Sequence, residues 1–225
     1  MKGGDVISAL AIALRFIIIL LFFISALLVG AQAKYPKTIS ALQNRYIDEI
    51  HTVNKYSAYA HKALSEDYPN IAYLFVALSA SESIHARNFK NLLSDLGVQV
   101  KEIPNPQFQV SGTKENLNNA ATVEMEEVNR EYPRLIAHMK VENHEAAIRN
   151  IRYAWKAEEQ HHDLMKKVLS GKGVFFGVLA KKIEKTDVKF FVCQICGSTL
   201  TQLPDQVCPI CKSSVSVYKE VERLK

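Results

Sequence analysis

The hydrophobic and polar positions of residues 38–64 repeat with the 3.6-residue period of an amphipathic α-helix, and no Gly or Pro interrupts them. A turn with Pro69 follows, and a second helical pattern extends from about Asn70 to Leu96, where Gly97 ends it. Because a short turn joins two amphipathic helices, this part of the chain is predicted to form an antiparallel helical hairpin.

A long connection separates this hairpin from the next helical pattern. Residues 97–113 carry Pro104 and Pro106 and show no helical period. At about 3.3 Å per residue, about 17 residues can span roughly 55 Å, whereas a helix of about 26 residues is only about 39 Å long. The connection can therefore run the length of a bundle and start a third helix parallel to the second.

A second helical hairpin is predicted after this connection. Its first helix begins with Thr113 as N-cap and Asn116 at the third helical position, and an interruption is expected at Tyr132-Pro133. Its second helix covers about 143–169. Two hairpins joined by one long crossover predict a mainly α, ferritin-like four-helix bundle.

The rest of the chain loses the helical period. The bundle is predicted over residues 38–170, a linker over 171–187, and a small second domain over 188–225 that holds all four cysteines. A domain of that size needs a metal to fold, because its own apolar core is small. The net charge of +5 is scattered along the helices without a Lys/Arg block, which argues against nucleic acid as a partner.

Residues 1–33 are interpreted as a targeting segment. Lys2 and Arg15 precede the apolar run 16–29, and the small residues Ala31 and Ala33 are typical of a signal-peptidase site after Ala33. The run is short for the roughly 20 residues of a membrane-spanning helix. A cleaved signal peptide is the first interpretation, and an uncleaved membrane anchor over residues 6–31 is the alternative. Either one predicts an exported, periplasmic or extracytoplasmic protein that contacts the membrane only through this segment.

Two Glu-x-x-His motifs lie in the predicted helices. Glu82 and His85, and likewise Glu158 and His161, are three residues apart, so each pair lies on one face of its helix. Each pair can offer two ligands to one point, and two copies predict two metal ions. A solvated helix face is the ordinary explanation for one such motif, but it does not explain two copies at matching positions.

Each motif is preceded by another Glu at a nearly equal distance. Glu49 lies 33 residues before Glu82, and Glu124 lies 34 residues before Glu158. Glu127, one turn after Glu124, has no counterpart in the first hairpin. Di-iron and di-manganese bundles use this ligand pattern of Glu and Glu-x-x-His. The five carboxylates carry a charge of −5, whose magnitude lies between the +4 of two ferrous ions and the +6 of two ferric ions. Hard oxygen donors with one imidazole per metal favour iron or manganese over a thiolate metal, and zinc is possible but redox-silent.

Other side chains near these motifs fit the pattern less well. Glu159 and His162 also form an i, i+3 pair, but the packing phase of the helix favours the pair one residue earlier. Tyr56, two turns after Glu49, either hydrogen-bonds a ligand carboxylate or fills the core, and both interpretations stay open. Four histidines lack a partner pattern and are interpreted as surface residues: His51, His61, His138 and His144.

The cysteines form two Cys-x-x-Cys knuckles separated by 11 residues. The four positions are Cys193, Cys196, Cys208 and Cys211. Two such knuckles predict one tetrahedral all-thiolate metal site, and disulfide pairing is the minor alternative. The spacing is compatible with a single iron and equally with a structural zinc.

The chain resembles the rubrerythrin family over about residues 38–222. The matching stretches are Tyr59-Ala-His-Lys-Ala-Leu64, Tyr68-Pro-Asn-Ile-Ala72, Glu82-Ser-Ile-His-Ala86, Glu124-Met-Glu-Glu127 with Tyr132-Pro133, Glu158-Glu-Gln-His161 and Phe191-Val-Cys193. The resemblance implies a ferritin-like di-iron domain followed by a rubredoxin-like domain with one iron. The implied di-iron ligands are Glu49, Glu82, His85, Glu124, Glu127, Glu158 and His161, and the implied ligands of the single iron are Cys193, Cys196, Cys208 and Cys211.

The sequence departs from the family pattern in three places. An exported N-terminus is unusual for a family that is mostly cytoplasmic. Lys212 stands where a Gly commonly follows the fourth cysteine. The stretch Asp48-Glu-Ile-His-Thr52 replaces the small residues that usually surround the first ligand Glu.

The resemblance implies reduction of hydrogen peroxide to water at the di-iron site, with electrons relayed through the four-cysteine iron. His85 and Glu127 are then expected to exchange on one iron, with Tyr56 and Tyr132 beside the cluster. The resemblance also implies a homodimer, in which the rubredoxin-like domain serves the neighbouring subunit, and an electron-donor protein or reductase. The alternatives are a ferroxidase or dioxygen-reducing enzyme and an iron-handling protein with a structural zinc on its cysteines.

Overall fold

The structure is a computed structural model, and it describes residues 34–100, 103, 107–169 and 187–224. The predicted signal or anchor segment lies outside the described residues, as does nearly all of the predicted linker, so both stay predictions. Within the described part of the chain, no helix combines the length and the apolar character needed to cross a membrane.

The first hairpin consists of α1 (Pro36–Ser65) and α2 (Pro69–Asp95). Pro69 stands at the start of α2, where its missing N–H leaves no helical hydrogen bond unmade. After α2, Gly97 adopts a positive φ of 76°, and the N–H of Val98 donates to the carbonyl of Leu93. The predicted hairpin and its Gly97 stop are therefore confirmed.

The second hairpin contains an irregular turn in its first helix. It consists of α3 (Thr113–Glu126), a π-helical turn (Glu127–Glu131), α4 (Tyr132–Met139) and α5 (Glu145–Leu169). The N–H of Tyr132 donates to the carbonyl of Glu127, five residues back. The expected interruption thus takes the form of a π turn placed just before Pro133, which lacks the N–H needed to continue the α-helical bonding.

The expected N-cap of α3 is wrong by one residue. Gly112 is the N-cap, and Thr113 is the first helical residue, whose N–H and hydroxyl donate to Glu66 Oε2 at 2.8 and 2.6 Å. Asn116 does not act in a capping box, since its amide exchanges two 2.9 Å hydrogen bonds with the backbone of Ser111. A carboxylate from the first hairpin replaces the local cap.

The start of α1 is held in the same way by the second hairpin. The N–H groups of Lys37 and Thr38 donate to the two carboxylate oxygens of Glu142, at 2.9 and 2.8 Å. Glu142 follows α4, and Glu66 follows α1. Each hairpin therefore caps the first helix of the other with a carboxylate, which is favourable at the positive end of a helix dipole.

Two apolar clusters form the core of the bundle. One contains Tyr56, Phe75, Leu78, Leu117 and Met165, and the other contains Leu42, Phe89, Met139 and Ile151. On every long helix the Glu and His residues of the predicted metal motifs fall between the residues of these two clusters. The polar side chains are therefore enclosed by apolar layers at both ends of the bundle, away from water.

The cysteine-rich segment forms a small antiparallel sheet of three strands. The strands are β1 (Phe191–Cys193), β2 (Thr199–Leu200) and β3 (Tyr218–Glu220), in the order β2-β1-β3. Val192 pairs with Thr199 on one side and with Lys219 on the other. The sheet contacts α2 and α5 of the bundle. The predicted combination of a four-helix bundle and a small four-cysteine segment is confirmed.

Candidate metal centres

Six of the predicted carboxylate and histidine ligands converge in the middle of the bundle. They form two overlapping sets, in each of which one ligand atom per residue lies within 4.8 Å of all the others. The first set is Glu49, Glu82, His85 and Glu158, and the second is Glu82, Glu124, Glu158 and His161. Glu82 and Glu158 belong to both sets. Carboxylates shared in this way can bridge two metal ions, with one further carboxylate and one imidazole for each.

The cluster is buried, and several of its polar atoms make no well-directed hydrogen bond among the described residues. All six residues are at most 1% exposed. Glu124 Oε2 has no hydrogen-bond partner. Glu82 Oε1 and Glu158 Oε2 lie 3.1 and 2.8 Å from His161 Nδ1 but form no well-directed hydrogen bond with it. Burying such atoms unpaired is costly, and metal ions are the partners that would satisfy them. The donor set therefore fits two cations with a preference for oxygen and imidazole ligands.

Both imidazoles turn Nδ1 towards the carboxylates. His85 Nδ1 lies 2.9 Å from Glu82 Oε2, and His161 Nδ1 lies 2.8 Å from Glu158 Oε2. Burial would lower the pKa of His161, but Glu82 and Glu158 raise it to about 9. The pKa of His85 is likewise raised well above its ordinary value by these carboxylates, against the effect of burial. Without metal, protonated imidazoles thus balance part of the carboxylate charge.

The pKa values of the cluster carboxylates are shifted in opposite directions. Burial raises the pKa of Glu49 to about 8, against the opposing effect of Arg45. Burial and the charge of Glu158 raise the pKa of Glu124 well above its ordinary value. Burial would also raise the pKa of Glu158, but the two imidazoles hold it well below its ordinary value. Metal binding must therefore displace protons from this cluster.

Two tyrosines hydrogen-bond the cluster from opposite hairpins. Tyr56 donates to Glu124 Oε1 at 2.5 Å, and Tyr132 donates to Glu49 Oε1 at 3.3 Å and to Glu158 Oε1 at 3.2 Å. Both rings are also fully buried in the apolar core. For Tyr56, the two interpretations left open by the sequence are therefore both correct. Such outer partners orient the carboxylates towards a metal.

Glu127 lies outside both sets. It begins the π turn, its side chain is 19% exposed, and its Oε1 accepts hydrogen bonds from Nη1 and Nη2 of Arg45, both at 3.1 Å. The structure does not bring this seventh predicted ligand to the other six. Sequence reasoning missed Arg45, although a cation four residues before Glu49 on the same helix face was a usable signal.

The remaining histidines lie away from the cluster. His61 and His138 are exposed, and His51 and His144 are half-buried. His162, which neighbours His161, donates from Nδ1 to the carbonyl of Ala121 at 3.1 Å and takes no part in either set.

The four cysteine sulfurs form the second centre. All four lie within 4.8 Å of one another, and none is in a disulfide. The tight turns that follow each knuckle use a positive φ, 79° at Gly197 and 62° at Lys212. Lys212 accepts this left-handed conformation, which Gly adopts more easily, and its Nζ donates to the carbonyl of Pro209 at 2.8 Å. A Lys at position 212, where the family commonly has a Gly, is therefore compatible with the tight turn of the second knuckle.

The cysteine segment contacts both imidazoles of the cluster. His85 Nε2 lies 3.2 Å from the carbonyl of Cys196, and because a carbonyl only accepts, Nε2 is the donor. His161 Nε2 lies 3.3 Å from Thr199 Oγ1. Hydrogen bonds at Nε2 leave Nδ1 for the metal. Sequence reasoning did not anticipate these contacts, because they join segments more than 35 residues apart.

Gly197 permits this close approach. Ser81 Oγ donates to the carbonyl of Gly197 at 2.6 Å. An added Cβ at Gly197 would lie 2.7 Å from Ser81 Oγ and still closer to His85 Nε2. Any larger residue would therefore push the four-cysteine segment away from the bundle.

The fold and the two centres define a class of protein. It is a four-helix bundle whose buried carboxylate and histidine cluster could hold two metal ions, joined to a small segment whose four cysteines could hold one more. The rubrerythrin family model matches residues 41–169, and the chain belongs to that family. The family is known for di-iron proteins of oxidative-stress defence, so a di-iron oxidoreductase is the coarse class of this protein.

Curated relatives and solved structures agree with this family. The chain is 30% identical to rubrerythrin-1 of Clostridium acetobutylicum over 185 residues, which cover 79% of this chain and 91% of the relative. It is 29% identical to a putative rubrerythrin of Methanocaldococcus jannaschii over 196 residues, covering 83% and 93%. A structure of nigerythrin in a mixed-valence state is similar with a TM-score of 0.68 and 25% identity, covering 86% and 88%.

Proposed function

We propose that this protein is a non-haem di-iron peroxidase that reduces hydrogen peroxide to water and protects against oxidative stress. One observation carries the proposal: two ligand sets share two carboxylates, and a four-cysteine cluster contacts one of their imidazoles directly. A two-metal site supports two-electron chemistry, and the adjacent thiolate centre offers a route for electrons.

The six converging residues would hold the two irons. A ferrous pair held there would supply the two electrons that, with two protons, convert one hydrogen peroxide into two waters. Tyr56 and Tyr132 keep Glu124, Glu49 and Glu158 oriented by hydrogen bonds from their phenols. The apolar layers on both sides exclude water from the carboxylates and thereby strengthen every charge interaction inside.

His85 and Glu127 are proposed to exchange as ligands of one iron. Ferric iron gains more than ferrous iron from a hard carboxylate, and ferrous iron accepts imidazole well. His85 lies inside a ligand set, whereas Glu127 lies outside, on a π turn. π turns recur at functional sites of helices. This π turn interrupts the regular α-helical hydrogen bonding at Glu127, where the exchange is proposed.

Electrons are proposed to reach the cluster from the cysteines. The carbonyl of Cys196 and the Nε2 of His85 form the shortest described link between the two centres. This role requires iron on the cysteines, because zinc is redox-silent. An electron-donor protein or reductase must supply the cysteine iron. The contact between Cys196 and His85 lies within one chain, so this route does not depend on the neighbouring subunit that the sequence led us to expect. The homodimer and the extracytoplasmic location remain separate proposals.

The experiment compares two oxidants. The protein is reduced without oxygen and mixed rapidly with hydrogen peroxide or dioxygen, while the visible spectrum follows the cysteine iron and the di-iron site. Faster oxidation by peroxide, with a red ferric-thiolate spectrum, is expected. Faster oxidation by dioxygen would favour a ferroxidase, and a colourless cysteine centre that holds zinc would favour an iron-handling protein instead.

A further inference from the structure

A buried arginine lies beside the two-metal cluster. The side chain of Arg45 on α1 is only 9% exposed, and its guanidinium stands over the ring of Tyr132, 4.9 Å from the centroid. A buried guanidinium is retained only with good partners, since removing it from water is costly. Its partners therefore indicate its role.

The guanidinium connects one carboxylate inside the cluster with one outside it. Nη2 of Arg45 donates to Glu49 Oε1 at 3.0 Å, and both Nη atoms donate to Glu127 Oε1 at 3.1 Å. A third carboxylate, Asp48, is half-exposed and lies 3.6 Å away. The planar fork of an arginine suits such a bridge, which a lysine could not reproduce with the same geometry.

The charge of Arg45 also completes the balance of the cluster. Four converging carboxylates and Glu127 carry five negative charges when ionised, and Arg45 reduces the sum to −4, the opposite of two divalent ions. If Glu127 moved to a metal, its oxygens would have to leave the guanidinium. A metal ion and Arg45 thus compete for the same carboxylate.

We propose that Arg45 is a positioning residue that holds Glu127 away from the two ligand sets, so that movement of Glu127 to a metal must break this ion pair. The inference deepens the proposed function and rests on it for its consequence, namely that Arg45 sets how readily Glu127 and His85 exchange. Arg45 touches no reacting atom and acts through Glu127.

The test measures metal binding instead of turnover. Protein with zinc on its cysteines and no metal in the carboxylate cluster is titrated with Mn²⁺, and free Mn²⁺ is followed by electron paramagnetic resonance. Four proteins form a double-mutant cycle: the parent, Arg45→Met, Glu127→Gln and the double variant. Circular dichroism establishes that each is folded. Arg45→Lys serves as a second variant, which keeps the positive charge but lacks the planar guanidinium group.

Arg45→Met is expected to tighten Mn²⁺ binding by at least about tenfold, since it releases Glu127 and removes a competing charge. In the Glu127→Gln background the same substitution is expected to tighten binding by less than about threefold. Arg45→Lys should lie between the parent and Arg45→Met. Asp48→Asn, which removes another carboxylate next to the same guanidinium, should leave Mn²⁺ binding unchanged.

Equal tightening in both backgrounds would overturn the inference, because Arg45 would then act only through its charge and not through Glu127. Absence of tightening in Arg45→Met would overturn it as well. Either result leaves the proposed peroxidase intact, whereas a parent protein that binds neither Mn²⁺ nor Fe²⁺ in the cluster would overturn both.

Discussion

The two helical hairpins bring almost the same side chains to the cluster, but they are not built alike. Each provides one Glu and one Glu-x-x-His pair, and each provides a tyrosine that hydrogen-bonds a carboxylate of the other hairpin. The first hairpin has an uninterrupted first helix, whereas the second has a π turn over Glu127–Glu131. The shared features form the two ligand sets, and the differences lie around Glu127, the ligand that is proposed to exchange.

The two tyrosines show how the π turn changes the residue spacing in the second hairpin. Tyr56 lies seven residues after Glu49, whereas Tyr132 lies eight residues after Glu124. A π turn bonds residue i to i+5 and so accommodates one extra residue within the helix. Tyr132 therefore reaches the same kind of position as Tyr56 despite the added residue.

The positions around Glu49 and Glu124, the two carboxylates that each belong to only one ligand set, also differ. Four residues before Glu49 stands Arg45, while Ala120 stands four residues before Glu124. Three residues after Glu49 stands Thr52, while Glu127 stands three residues after Glu124. One hairpin thus contributes the guanidinium and the other contributes the carboxylate that it binds. The asymmetry of the site therefore consists of a complementary ion pair, Arg45 with Glu127.

The largest effect is expected where the hairpins are most alike. Glu82→Gln and Glu158→Gln each remove a shared carboxylate, so each should weaken binding of both metals by at least about 100-fold. Metal analysis after dialysis would measure the loss. Glu124→Gln is the matched control, since Glu124 serves one set and its substitution should spare one metal. Two tightly held metals in Glu158→Gln would contradict the bridging role.

Substitution of the asymmetric carboxylate should separate metal binding from turnover. Glu127→Ala is expected to keep both metals and to lower peroxide turnover on the order of 100-fold, because the exchanging ligand is misplaced or absent. Thr52→Ala changes the equivalent position of the first hairpin and should leave turnover unchanged. Steady-state peroxidase assays with parallel metal analysis test this, and normal turnover of Glu127→Ala would remove its assigned role.

The tyrosines should have matching but smaller effects. Tyr56→Phe removes the hydrogen bond to Glu124, and Tyr132→Phe removes those to Glu49 and Glu158. Loss of such an outer partner is expected to weaken metal binding about tenfold. Metal titrations of the two variants measure this, and a large effect from only one of them would show that the hairpins are less alike than their geometry indicates.

The smallest effects concern the reciprocal caps. Hydrogen bonds from Thr113, with a smaller contribution from Lys62, lower the pKa of Glu66 to about 2. Burial would raise the pKa of Glu142, but hydrogen bonds from Lys37 and Thr38 lower it below its ordinary value. Glu66→Ala is expected to reduce the free energy of unfolding by about 1 kcal/mol. Glu142→Ala should have a similar effect at the start of α1.

The pH dependence gives a further check on Glu66. A carboxylate with a lowered folded pKa stabilises the protein fully above its ordinary value of 4.5, and this contribution is lost as the pH falls towards about 2. The difference in unfolding free energy between the parent and Glu66→Ala should therefore be largest above pH 4.5 and shrink below it. A difference that stays constant down to pH 2 would contradict the cap.

Much of the fold was predictable because its signals are local. Helical periods, Gly97 and the short turns specified the two hairpins, and the spacing of Glu-x-x-His motifs specified which faces meet. The predicted N-cap at Thr113 failed because the carboxylate that caps α3 comes from Glu66, 47 residues earlier. Local pattern contains no information about a partner at that distance.

The sequence by itself determined the bundle, the four-cysteine segment and the six side chains that converge, because periodicity and repeated spacing constrain which residues share a helix face. Only the tertiary structure decided that Glu127 stays outside the sets, that Arg45 holds it there, and that Cys196 and Thr199 contact the two imidazoles. These features depend on distances between elements far apart in the chain. They arise when helices pack and buried charges find partners, which no single stretch of sequence specifies.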